Sequence, residues 1–304
     1  MKKYQLLLVI IVMISMPAHS RDTIRVVGSS TVYPFATVVA ETFGRQDNGF
    51  KTPIIESTGS GGGLKLFCAG RGPSTPDVTN ASRRIKKSEV ELCAKNGINE
   101  IIEHKIGYDG IVIANAKNGP NFKLSRKDLY MALAAKVPCG IQDGVTCDNE
   151  SKTWKDVNPS LPDIRIEVYG PPPTSGTRDA FAELGLGGGC KMIPWIKKFR
   201  KKDKSAWKKL CYTVREDGAY IEAGENDNLI IQKLVNNPNA VGVFGFSFLD
   251  QNTDSVKGSI VDGIEPTFES IASGDYKVSR SLFFYVKKAH IGSIPGIEEY
   301  MAEF

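Results

Sequence analysis

Histidine is almost missing from this chain. Only three occur in 304 residues, and one of them follows the apolar N-terminal segment, leaving His104 and His290. No two cysteines stand in a C-x-x-C spacing, so zinc ligand sets and histidine bases are both poorly supplied. A nucleotide loop is missing too. In GSGGGLK (Gly59 to Lys65) the lysine is followed by Leu66 rather than a hydroxyl residue, and no G-x-G-x-x-G leads to an acidic residue at a second strand. Ser175 stands in TSGTR, not in a G-x-S-x-G elbow. Beyond the N-terminus there is no long apolar run, no internal repeat and no low-complexity segment. These absences argue against a nucleotide enzyme, a metal centre and a triad hydrolase.

The first twenty residues read as an export signal. Lys2 and Lys3 form a positive start, Leu6 to Met16 an apolar core, and Ala18-His19-Ser20 a small-x-small cleavage site. The core is short for a membrane span, so residues 1–20 are expected to be removed and the mature protein to begin near Arg21, outside the inner membrane. No cysteine follows the apolar core in a lipidation position. The formal charge of +5 falls to +3 once Lys2 and Lys3 are taken away, too mild to point to nucleic acid.

All six cysteines fall in the mature part. An even count in an exported chain favours disulfides over free thiols, although six cysteines permit fifteen pairings. Nearest-neighbour pairing gives Cys68–Cys93, Cys139–Cys147 and Cys190–Cys211. The best supported is Cys139–Cys147, which flanks the turn segment GIQDGVT.

What is abundant is a repeated kind of loop. GSSTVYPF (Gly28 to Phe35), STGSGGGLKLF (Ser57 to Phe67) and PPPTSGTRDAF (Pro171 to Phe181) each end an apolar run with glycine and hydroxyl residues and then open a helix. Helix N-termini carry unpaired N–H groups and partial positive charge, hydroxyls add neutral donors, and glycine permits close approach. One such loop usually only connects elements. Three suggest convergence on a small oxyanion.

Arg83, in TNASRRIK, can grip two oxygens of a tetrahedral anion; the alternative is a surface arginine. Arg178 directly follows the third loop and either binds the anion or orients the loop. Asp109, in GYDGIVI, is either a cleft carboxylate accepting a proton from the anion or an exposed turn aspartate. The basic run IKKFRKKDKSAWKKL (Ile196 to Leu210) reads as a solvated lysine face, or as a surface for an anionic partner.

Strand–helix alternation from Thr23 to Gly107 implies an α/β unit with a mainly parallel sheet. Its first helix should bury the stripe Val32, Phe35, Val38, Val39 and Phe43. A second unit starts with a strand at Tyr108 to Ala114. Strands are also expected at Ile164 to Val168, Ala240 to Phe248 and Ser281 to Lys288, and the helix after the third loop should stop at Gly185. The late strands have no third core to join. Lobe 1 is therefore expected to comprise 21–107 plus 250–304, and lobe 2 108–249.

The order GSSTVYPF, STGSGGG, ASR, GYDGIVIANAK and SGTR-x-AF, continuing to FFYVKKAH, resembles the periplasmic phosphate-binding proteins of bacterial phosphate ABC transporters, the PstS family. The resemblance covers nearly the whole mature chain. It implies a type II periplasmic binding fold of two α/β lobes around a central cleft, a monomer that binds inorganic phosphate, no cofactor or metal, and delivery to an ABC permease. It places the phosphate on Ser30 and Thr31, on Ser60, and on Ser175, Gly176 and Thr177. Some members carry an aspartate where this chain has Arg83, and an arginine where it has Pro171. The anion's positive partner is thus expected at Arg83, and Asp109 is the candidate replacement for the missing proton acceptor. A binding protein, not an enzyme, is the expectation. The alternatives are an exported phosphatase reusing the same loops, a binder of another oxyanion, and a signalling or adhesion protein with a degenerate site.

Overall fold

The computed structural model describes residues 21–46, 49–140, 142–224 and 226–304. The expected signal peptide, 1–20, lies outside the described residues. Three short parallel strands begin the chain: β1 (Arg25–Gly28) lies between β2 (Ile54–Ser57) and β3 (Val78–Ala81). Helices α1 (Tyr33–Arg45) and α2 (Gly59–Phe67) connect them, and α3 (Lys87–Lys95) leads on from β3, as βα alternation requires.

The strand β4 (Ile101–Ala116) then runs for sixteen residues and belongs to both lobes. Its residues 101–110 pair antiparallel with the late strand Ser279–Lys287, whose other edge pairs with β3. Its residues 111–116 pair with Val241–Gly245 and Val256–Gly258. The strands Val168–Gly170 and Tyr220–Glu222 extend the second half in parallel. A curled sheet therefore passes through two α/β lobes. A register shift between Leu282 and Phe283, opposite Gly107 and Lys105, marks where the two crossing strands bend together.

Several expectations change in detail. The buried side of α1 is Val32, Ala36, Ala40 and Phe43, while Phe35 and Val38 are 61% and 62% exposed. The alanines let α1 seat against Leu282 and the C-terminal helix Ile297–Glu303, so the bulkier residues turn outward. The helix after the third loop does not stop at Gly185. It runs from Gly176–Ala180 through a π-helical turn at Phe181–Leu186 into Gly187–Cys190. Its glycines serve close packing rather than termination: a Cβ on Gly189 would fall 1.8 Å from the Arg126 carbonyl oxygen. The apolar stretch 240–248 is a strand only to Gly245, then a helix, Phe246–Gln251.

The return to lobe 1 comes later than residue 250. Val256–Gly258 pairs with the end of β4, and Ile260–Val261 pairs with Lys123–Leu124. Val261, Ile271, Tyr276 and Val278 join the large core of lobe 2, so the chain re-enters lobe 1 at Ser279. Apolar burial decides this: those side chains find their partners under lobe 2.

The nearest-neighbour disulfides are all formed: Cys68–Cys93, Cys139–Cys147 and Cys190–Cys211. They tie α2 to α3, close the hairpin Lys136–Pro138/Thr146–Asp148, and pin the third-loop helix to the helix Lys204–Tyr212. Mass spectrometry of unreduced protein should find no alkylatable thiol. Replacing Cys139 and Cys147 by serine should cost about 2–3 kcal/mol of stability, measured by urea unfolding.

At the lobe junction Asp227 accepts the Gly245 N–H at 3.1 Å. Burial, opposed by that hydrogen bond and reinforced by the charge of Asp109, pushes its carboxyl up to about 6 from 3.8. A raised carboxyl stabilises the fold fully below about pH 4, and that contribution is lost as pH rises through 6. Asp227→Asn keeps the acceptor and removes the buried charge. It should raise stability by about 1–2 kcal/mol at pH 7 and by nothing at pH 4, with thermal melts at the two pH values as the measurement.

Candidate oxyanion site

The three loops converge. Gly28 has φ +139°, and a Cβ there would meet the Asn80 carbonyl oxygen at 2.1 Å, so only glycine lets β1 end against β3. Ser29 N–H then donates to Asn80 O at 2.9 Å, and Thr58 N–H to Gly28 O at 2.9 Å. These bonds lock the first and second loops side by side. Val32, the N-cap of α1, offers no side-chain cap, and a proline occupies the first turn. The start of α1 is thus left open to an anion.

In the second loop Ser60 Oγ accepts the Ser82 N–H at 3.0 Å and lies 3.2 Å from Ser82 Oγ. Either hydroxyl can donate in that contact, so the pair leaves one hydroxyl proton for a further acceptor. In the third loop Ser175 caps the following helix by accepting the Thr177 N–H at 3.2 Å. Gly176 stands directly against Thr31: a Cβ on it would come within 2.9 Å of Thr31 N. The third loop of lobe 2 therefore meets the first loop of lobe 1 at the cleft floor.

The cleft measures about 820 Å³, and Ser30, Thr31, Ser60, Arg83, Arg178 and Arg280 line it. Ser175, Gly176 and Thr177 are not on the lining, although Gly176 packs against Thr31 and Pro173, Arg178 and Asp179 of the same segment line the cleft.

Arg280 is the cation that the sequence reading missed. It is 11% exposed and donates from Nη2 to Thr31 Oγ1 at 2.6 Å and from Nε to Asp109 Oδ2 at 3.1 Å. Because Thr31 Oγ1 accepts from arginine, its hydroxyl proton can point into the cleft. No spacing in SRSLFF signals this; only the pairing of Arg280 with Asp109 across the crossing strands does.

The expectation that Arg83 is the anion's only full positive charge needs correction. Arg83 lies on the cleft but is held bidentately by Glu89, at 2.7 and 2.9 Å. That hydrogen-bonded carboxylate raises the guanidinium's pKa despite partial burial. Arg178 stacks 4.0 Å over Tyr220 and donates to Pro171 O at 3.2 Å, so its geometry orients the loop. The cleft-edge Lys86 is depressed by burial, then by Arg83, with Lys204 of the opposite lobe acting in the same sense.

Asp109 is neither an exposed turn residue nor a cleft-lining group. It is buried behind Arg280, where burial raises its carboxyl pKa and the guanidinium opposes that rise. Three acids do line the cleft, Asp179, Glu183 and Glu216, and Asp179 lies nearest the third loop in sequence, two residues past Thr177. Burial raises its carboxyl pKa, with Arg280 opposing and Glu183 reinforcing the rise. The pattern SGTRD contained it, but nothing distinguished it from an ordinary first-turn acid.

The two histidines hold no place here. His290 is buried, its ring between the Asp77 carboxylate and the Arg71 carbonyl oxygen, and His104 is exposed on β4.

The profile of the PBP superfamily domain matches residues 15–304. Protein SphX of Synechococcus elongatus is 30% identical over 277 residues, 88% of this chain and 70% of that protein. The phosphate-binding protein PstS of Staphylococcus saprophyticus is 30% identical over 280 residues, 90% of this chain and 73% of the relative. The crystal structure of a possible phosphate binding protein from Planctomyces limnophilus aligns with a TM-score of 0.71 at 28% identity, covering 92% of this chain and 86% of that one. With two lobes, paired crossing strands and three converging loops, the chain belongs to the PBP superfamily, in the family of the phosphate-binding protein PstS.

Proposed function

We propose that this protein captures inorganic phosphate outside the inner membrane, in the periplasm, and hands it as a monomer to an ABC permease. The observation that carries this reading is the meeting of three hydroxyl- and glycine-rich loops with the buried Arg280 in a single interlobe cleft. Phosphate would sit on the N-terminus of α1, on the hydroxyls of Ser30, Thr31 and Ser60, and against the Ser175-Gly176-Thr177 loop, with Arg280 supplying charge through Thr31. Arg83 contributes from the rim, its charge shared with Glu89. No bond is made or broken. Closure around the anion is what a permease would read.

Asp179 supports phosphate over a fully ionised oxyanion. A carboxylate in the cleft accepts the proton that phosphate retains near neutral pH, whereas sulfate has none to give and meets repulsion.

Calorimetry on the mature protein should detect one phosphate per chain and far weaker sulfate binding, and phosphomonoesters should remain unhydrolysed. Absence of phosphate binding overturns the reading. Thr31→Val should weaken phosphate by about 1–3 kcal/mol, one hydroxyl partner being lost. Arg83→Ala should cost about 1–2 kcal/mol, below the loss for a fully buried unshared cation, because Glu89 already neutralises much of it. Adding Glu89→Ala to Arg83→Ala should recover part of that loss by removing the freed carboxylate. Asp179→Asn should raise sulfate affinity relative to phosphate, read by the same titration with both anions; an unchanged ratio removes Asp179 from the assignment.

A further inference from the structure

The basic run from Ile196 to Leu210 folds as two short helices, Pro194–Lys202 and Lys204–Tyr212, that divide its side chains between two cavities. One face, with Arg200, Lys204, Trp207 and Lys208, lines the oxyanion cleft. The opposite face lines a separate groove of about 650 Å³. On the first helix that face is Trp195, Lys198, Phe199 and Lys202; on the second it is Ala206, Lys209, Leu210 and, just past its end, Thr213. Both sets follow the i, i+3, i+4, i+7 spacing of one helical stripe, apolar residues alternating with lysines. The far wall is the disulfide-closed hairpin, through Lys136, Gly144 and Thr146.

The charge on this groove is one-sided. Lys198, Lys202 and Lys209 are exposed, and among the described residues none forms an ion pair. Lys136 is paired with Asp148 at 2.7 Å, and Asp143 is the one acid on the lining. Trp195, Phe199 and Leu210 are only partly buried, although each packs against the lobe 2 core. The volume lies in the range of pockets for small organic ligands, and the lining has their usual character: an apolar floor with few polar groups.

We infer that this groove is a second binding site, for a small amphiphilic anion: an acyl chain or aromatic ring carrying one carboxylate or sulfonate. The apolar part lies on Trp195, Phe199, Ala206 and Leu210, and the acid head meets Lys198, Lys202 and Lys209. Charge complementarity selects this occupant over a neutral one, since a neutral amphiphile leaves three cations unanswered. The site is independent of phosphate in the cleft.

Titration of the mature protein with decanoate, below its aggregation concentration, tests this by calorimetry, with decanol as the neutral control. The expected result is one saturable decanoate site, at least tenfold tighter than decanol and weakened by added salt. The triple variant Lys198→Gln/Lys202→Gln/Lys209→Gln changes only exposed groups; it should weaken decanoate at least tenfold while its thermal melt stays that of the parent. Phe199→Glu, which sets a carboxylate on the floor, should weaken decanoate at least as much. No saturable decanoate binding by the parent, or equal affinity in parent and triple variant, overturns the inference. An acidic peptide that binds where decanoate does not also overturns it, in favour of a protein partner.

Discussion

A buried arginine needs a counter-charge, and the pairing of Arg280 with Asp109 meets that need where the lobes join. Both residues lie on the two strands that cross between lobes, directly opposite one another in the register. Leaving either charge alone in this environment costs several kcal/mol, so the pair holds the crossing strands in one alignment. Arg280 also reaches Thr31. The cleft floor is thereby fastened to the hinge: any rotation that shifted the strand register would pull the guanidinium off the first loop. The same bond sets the direction of the Thr31 hydroxyl, which must turn its proton away from arginine.

The arginines beside the first two loops are paired before an anion arrives, while Arg200, Lys204 and Lys208 line the cleft from lobe 2 with no ion pair among the described residues. Arg280 has Asp109, Arg83 has Glu89, and Arg178 lies flat on Tyr220. Neutral donors, backbone N–H groups and hydroxyls do the rest. This suits a carrier better than a trap. An uncompensated buried cation would hold an anion by several kcal/mol that release must overcome, whereas oriented dipoles repay dehydration and still let the anion go when the lobes part.

Much of the fold was legible because the signals were local. The loop-before-helix pattern named three loops that the fold brings to one cleft, and chain proximity named all three disulfides. What escaped depended on contacts between distant segments. On α1 the largest apolar residues are not the buried ones, because alanines at 36 and 40 set how closely the helix approaches the sheet. Gly185 looked like a terminator because its sequence context is that of one; the neighbouring glycines are there instead to let a second helix pass. Residues 250–278 carry strands too short to announce which sheet they join. Arg280 and Asp179 had no motif of their own, and both became visible only when residue 280 was set beside 109 and 31.

The basic helical pair shows how a single sequence run can carry two surfaces. Read as a string, its eight cations between residues 197 and 209 are one patch. Wound at 3.6 residues per turn, they separate: positions 200, 204 and 208 recur every four residues on one side, and 198, 202 and 209 fall on the other. The separation holds only if the pair cannot roll. Cys190–Cys211 fixes the second helix to the end of the third-loop helix, and Trp207 is buried between the two cavities with the Arg200 guanidinium 5.1 Å over its ring. A small roll about that anchor would move Lys204 and Lys208 relative to Ser30 and Thr31 across the cleft. The wall shared by groove and cleft is attached through Cys190–Cys211 to the helix that follows one of the anion loops, which holds each cavity's lining in place.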